Sequence, residues 1–188
     1  PAIVQVSRKG LVSQTMQELE ESGYERNQIF SLPSFEYDEE KKEYIEVSNN
    51  ISAAKNLENI LDTIEKNNIQ SPVIVSTYAS LKSIFKNNIH LLERAKRLVS
   101  TLVSDEAHHT TGDVATDMID YFMKQDESSA QAHMFHIKLT ATPDRKKKSL
   151  RDSTHMIIDV KYQECVNDGT LILPTFRGVG TAYLPHNK

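Results

Sequence analysis

Short apolar runs alternate along the chain with stretches whose apolar residues recur every three or four positions. That alternation predicts an α/β domain with a largely parallel sheet. Residues 2–6 are a β-branched run and predict a strand. Residues 11–22 predict a helix, with Val12, Met16 and Leu19 on one face and Gly23 at its end. Residues 28–32 are a candidate second short strand. Residues 33–50 carry Asp38, Glu39, Glu40, Lys41 and Lys42, which predicts a solvated loop or hairpin. Ser52 suits the N-cap of a helix running to Asn67, and Leu57, Ile60, Leu61 and Ile64 give that helix an apolar face. Pro72 opens a buried strand over 73–76. Residues 80–97 predict helix broken at Asn87-Asn88, and 98–104 a strand ending in Asp105-Glu106. Residues 113–124 predict a helix with Ala115, Met118, Ile119 and Phe122 inward. A polar loop over 125–132 leads to a strand over 135–139 that ends at Thr140-Ala141-Thr142-Pro143. The tail holds a strand-like run over 156–160 and an extended end from Leu171 onward. Four of these runs read as strands with polar or acidic carboxyl ends, and open α/β sheets bind their ligands there.

Composition narrows the class. A length of 188 residues suits one large domain and allows a sizeable core. Apolar residues make up 38% and charged residues 26%, inside the folded range. No run approaches the ~18 consecutive apolar residues of a membrane span, so no membrane partner is expected. The amino end lacks the basic and apolar regions of a secretory signal. The single cysteine, Cys165, excludes an internal disulfide framework and a cysteine-based zinc site, and fits a reducing, cytoplasmic home. A net charge of −4 excludes a strongly basic binder but not a local phosphate-contacting patch. Because the first residue is Pro1 rather than Met, a piece of a longer protein is expected.

The strongest chemical signal is Leu102-Val103-Ser104-Asp105-Glu106-Ala107-His108-His109. Two adjacent carboxylates at the tip of a buried strand are costly unless their charge is used. Mg²⁺ takes few protein ligands, so one carboxylate beside a triphosphate suffices. The second can orient or deprotonate an attacking water. Two solvated acids before a helix would look the same in isolation, so context decides.

Asp-Glu-Ala-His after one strand, and Thr-Ala-Thr-Pro after the next, resemble motifs II and III of superfamily 2 helicases. Residues 4–14, Val-Gln-Val-Ser-Arg-Lys-Gly-Leu-Val-Ser-Gln, resemble motif Ia, a strand leading into a helix. Ser76-Thr77-Tyr78-Ala79-Ser80-Leu81 resembles the motif Ib region of the restriction-motor and excision-repair-like branches. Residues 166–174 resemble the segment that leaves the first RecA-like domain for the second.

The resemblance implies roles by position. Asp105 would hold Mg²⁺, through water, and Glu106 would activate or position the hydrolytic water. His108 would link the nucleotide site to motif III and the second domain. Thr140, Ala141 and Thr142 would couple hydrolysis to strand movement. Ser7, Arg8 and Lys9, with Thr77 and Tyr78, would touch the nucleic-acid backbone, where hydroxyls, cations and helix amino ends suit phosphates. The implied fold is a RecA-like P-loop NTPase core whose amino-terminal strand and P-loop are missing. Residues 1–165 would be its motif Ia to III part, and 166–188 an exit segment toward a second RecA-like domain.

Departures from the pattern matter equally. No Gly-x-x-x-x-Gly-Lys-Ser/Thr occurs, so no lysine loop cradles the β- and γ-phosphates. The 188 residues alone are therefore expected neither to bind ATP well nor to hydrolyse it. Ser7 stands where proline is common in motif Ia, and Gly10 where alanine is common, which weakens the helix start slightly.

Other candidates are weaker. His108, His109, His133 and His136 show no zinc-site spacing. Arg145, Lys146, Lys147, Lys148 and Arg151 form a basic cluster, either a solvated loop or a phosphate-contacting patch. No Gly-x-Ser-x-Gly nucleophile elbow occurs.

Taken together, the resemblance implies part of an ATP- and Mg²⁺-dependent DNA helicase or translocase, with a restriction-enzyme motor as one form. Nuclease or specificity subunits would then be partners. The alternatives are an RNA helicase of the same superfamily and an inactive module that only binds nucleic acid or protein.

Overall fold

In the computed structural model, residues 1–47, 51–107, 113–124, 134–140, 144–145 and 148–149 are described. They fall within one compact unit, Pro1–Ser153. The tail strand, Cys165 and the expected boundary at 165/166 lie outside the described residues.

The apolar runs become five parallel strands: β1 (Ala2–Val6), β2 (Ile29–Leu32), β5 (Val73–Thr77), β6 (Thr101–Ser104) and β7 (Phe135–Lys138). Their order is β2-β5-β1-β6-β7, every neighbouring pair parallel. The candidate second strand is thus a full member of the sheet. Alternation along each strand splits the core in two. Ile3, Leu32, Ile74 and Leu102 face one layer. Val6, Ile29, Val73 and Val75 face the other.

The first layer holds α2 (Ala53–Lys66), α3 (Tyr78–Asn87), α4 (Ile89–Leu98) and α5 (Asp113–Met123). Ser52 caps α2 by accepting from the Lys55 N–H at 3.2 Å. Leu57, Ile60, Leu61 and Ile64 are all buried from it, each contributing roughly 1.5–3 kcal/mol. The helix break falls at Asn88 as expected. Strand β6 starts three residues later than its predicted start, because Leu98 continues the apolar face that Leu91 and Ala95 give α4.

The second layer is α1 (Lys9–Glu21) with Val12 and Met16 buried. Gly23 follows it at φ +98, a conformation that favours glycine. The acidic stretch forms an antiparallel hairpin, β3 (Phe35–Asp38) and β4 (Glu43–Glu46). Tyr37 and Tyr44 meet edge-on at 5.2 Å. The Tyr44 hydroxyl donates to the Glu20 carboxylate and Glu46 pairs with Lys9, so β4 is tied twice to α1. A further short antiparallel pair joins β8 (Asp144–Arg145) and β9 (Lys148–Ser149), so part of the basic cluster is extended backbone.

Candidate functional site

Because the strands are parallel, their carboxyl ends share one rim, where the sequence predicts chemistry. Gln5 lies level with Ser76 on one side and Ser104 on the other, and Ser104 with Lys138. Ser7-Arg8-Lys9 therefore leave β1, Asp105-Glu106 leave β6, and Leu139-Thr140 leave β7 along the same edge.

Main-chain bonds lock the acidic turn between its neighbours. The Asp105 N–H donates to the Gln5 carbonyl at 2.9 Å, and the Ala107 N–H to the Leu139 carbonyl at 2.8 Å. The Leu139 N–H donates to the Ser104 carbonyl at 2.9 Å. Glu106 adopts φ +49, in the left-handed region, which costs a non-glycine residue about 1 kcal/mol. Asp105 and Glu106 are both partly exposed.

Tyr78 sits beneath this turn. It is buried, and its hydroxyl donates to the Asp105 carbonyl at 2.8 Å. Burial pushes the phenol up to about 12, and the Asp105 and Glu106 charges add to this against a hydrogen bond with Ser104. The group stays a donor at neutral pH. Thr77 is buried too, and its hydroxyl accepts from the Ser80 N–H at 3.1 Å to cap α3. Of the five residues expected to meet nucleic acid, Ser7, Arg8 and Lys9 are the accessible ones. Arg8 stands at the N-cap of α1 without a side-chain cap bond, and the first turn carries no acid. A helix amino end of this kind suits a phosphate.

Thr140 lies partly exposed at the end of β7. His108, Ala141 and Thr142 lie outside the described residues, as do His109 and His133. Among the described residues no group of three or more His, Cys, Asp or Glu could hold a metal alone. One or two carboxylates with no further ligand fit Mg²⁺, which takes its other ligands from phosphate and water. No described helix is long and apolar enough to cross a membrane.

A family model for the type III restriction enzyme res subunit matches residues 1–145. The chain belongs to that family. The match spans the sheet, the acidic turn and β7. Neither the curated proteins nor the solved structures compared with the chain match it. Membership in the res-subunit family carries the reading as the first domain of a superfamily 2 helicase. The five-stranded parallel sheet with helices on both sides is consistent with a RecA-like core.

Sequence reasoning passed over Gln5 and Ser104, and weighed His136 only as a metal ligand. The signal was present: Gln5 and Ser104 interrupt otherwise apolar runs at positions that face the core.

Proposed function

We propose that this chain supplies motifs Ia to III of an ATP-driven motor that moves on DNA within a restriction system. The observation that carries this reading is the shared rim: Asp105-Glu106 stand on a turn pinned between β1 and β7, level with Ser7-Arg8-Lys9 and Thr140. Residues 1–165 form the partial first RecA-like domain, and 166–188 lead to the second. Asp105 would hold Mg²⁺. When bound, the ion neutralises charge on the β- and γ-phosphates of ATP. The Glu106 carboxylate orients the attacking water and accepts its proton. Tyr78 keeps the turn in place through the Asp105 carbonyl. Arg8, Lys9 and the amino end of α1 meet backbone phosphates, a contact that positions without reading sequence. Thr140, Ala141 and Thr142, with His108, relay the hydrolysed state toward the second domain. The exit segment makes that domain a partner, with nuclease or specificity subunits beyond it. The motor works in the cytoplasm.

Supporting DNA over RNA are the family match and the Thr77-Tyr78-x-Ser80-Leu81 form. The deciding experiment measures ATP turnover of the full-length native polypeptide with and without duplex DNA, beside Glu106→Gln. The expected result is DNA-stimulated turnover that the variant lowers by about 10² or more. Stimulation by RNA alone would replace DNA with RNA. No turnover with either would overturn the motor reading. The 188 residues by themselves are expected to show none, since no lysine-bearing phosphate loop lies within them.

A further inference from the structure

A row of polar side chains runs just beneath the rim, on the face that otherwise packs the main core. Gln5 and Ser104 have no exposure to solvent, and His136 is partly buried beside them. The Ser104 hydroxyl donates to Gln5 Oε1 at 2.8 Å and lies 2.9 Å from His136 Nε2. Three strands are thereby tied side chain to side chain: β1, which leads to Ser7-Arg8-Lys9; β6, which leads to Asp105-Glu106; and β7, which leads to Thr140. Gln5 Nε2 has no hydrogen-bond partner. A central strand of a parallel sheet is ordinarily apolar on both faces, so a buried amide with an unmet donor works against packing here.

Between Gln5 and His136, with Ser104 also hydrogen-bonded to Tyr78, the proton count gives two arrangements. Ser104 has one hydroxyl proton. While Ser104 donates to Gln5, His136 must carry its proton on Nε2 and donate to Ser104. If the Gln5 amide turns over, its NH₂ donates to Ser104, and Ser104 donates to His136 Nε2. The Nε2 donor is then satisfied, Gln5 Oε1 loses its partner in exchange, and the imidazole proton moves to Nδ1. A fixed set of atoms with two bonding patterns is the kind of element that two sites can bias together.

We propose that Gln5, Ser104 and His136 form a positioning clasp that couples nucleic-acid engagement at the β1 tip to ATP turnover at the β6 tip. The proposal rests on the motor reading above. The clasp touches neither nucleotide nor nucleic acid. It acts by setting how the three strand tips sit against one another.

The test is steady-state ATP turnover of the full-length native polypeptide, with and without duplex DNA, in Ser104→Ala, Ser104→Thr and His136→Leu. Ser104→Ala and His136→Leu are expected to cut the DNA-stimulated rate about tenfold. They should leave the DNA-free rate and the KM for ATP within about twofold. Ser104→Thr keeps the hydroxyl and should restore stimulation. His136→Leu, on the last strand of the described sheet, carries the test if Ser104→Ala fails to fold. Equal loss of both rates, no loss of either, or failure of threonine to rescue would each overturn the clasp while leaving the motor reading intact. A wild-type protein that DNA does not stimulate would overturn the motor reading, and the clasp with it.

Discussion

His136 shows how far burial can move one side chain. Burial, with the nearby Lys138 charge, lowers its pKa from 6.5 to about 4. The folded protein therefore prefers the neutral ring, while the unfolded chain takes up a proton near pH 6.5. Stability from this group is fully present above pH 6.5 and drains away as pH falls toward 4. The full shift corresponds to at most about 3 kcal/mol. Between pH 6.5 and 5, above the range where most carboxylates titrate, the melting temperature should fall. His136→Gln should flatten that slope, as thermal melts across the window would reveal. Lys138 is also lowered chiefly by burial, and its positive charge opposes protonation of the nearby ring. Neither effect is legible in the sequence. His-Ile-Lys reads as one polar-apolar-polar strand, and only the sheet order says which face meets the core.

At the level of elements, the local rules were nearly sufficient. Ser52, the i, i+3, i+4, i+7 spacing of α2, and the Asn87-Asn88 break all act through neighbours a turn away. The α4 end and the β6 start were harder, because Leu98 and Val99 suit either state and long-range packing decides between them. The hairpin was half legible: its charges announce the surface, but its docking on α1 depends on Tyr44 and Glu20, distant in sequence. Helix α1 also carries a testable weakness. Gly10 lies in its first turn, and an added Cβ would meet nothing within 4 Å. Gly10→Ala should stabilise the fold by about 0.5–1 kcal/mol. Urea denaturation would register this as a higher midpoint at unchanged m-value.

On the scale of the whole molecule, the described residues cover the two sides of the sheet unequally. Helices α2 to α5 pack one face, whereas α1 packs β1, β2 and β5 on the other. Phe135, Ile137 and Leu139, in and just after β7, are 68%, 47% and 51% exposed. Among the described residues β7 ends the sheet; such a strand with exposed apolar side chains is an association site, and a net charge of −4 repels only weakly. The 188-residue chain should therefore self-associate as its concentration rises. Ile137→Lys should shift it toward monomer in sedimentation velocity. An unchanged distribution would place the contact elsewhere. The family and the rim were readable from four short motifs. The polar row beneath them was not, because its members gain meaning only when β1, β6 and β7 lie side by side.

The ion pair between Lys9 and Glu46 gives the hairpin a second significance. Lys9 opens the helix expected to meet phosphate, and it already has a tethered anion as its companion. In the proposed motor an arriving phosphate would share Lys9 with that carboxylate or displace it, since an ammonium has three donors. Both partners are largely exposed, at 62% and 41%, and such pairs are worth only about 0–1 kcal/mol. If Lys9 meets a nucleic-acid backbone as proposed, a pair this weak would give way to it.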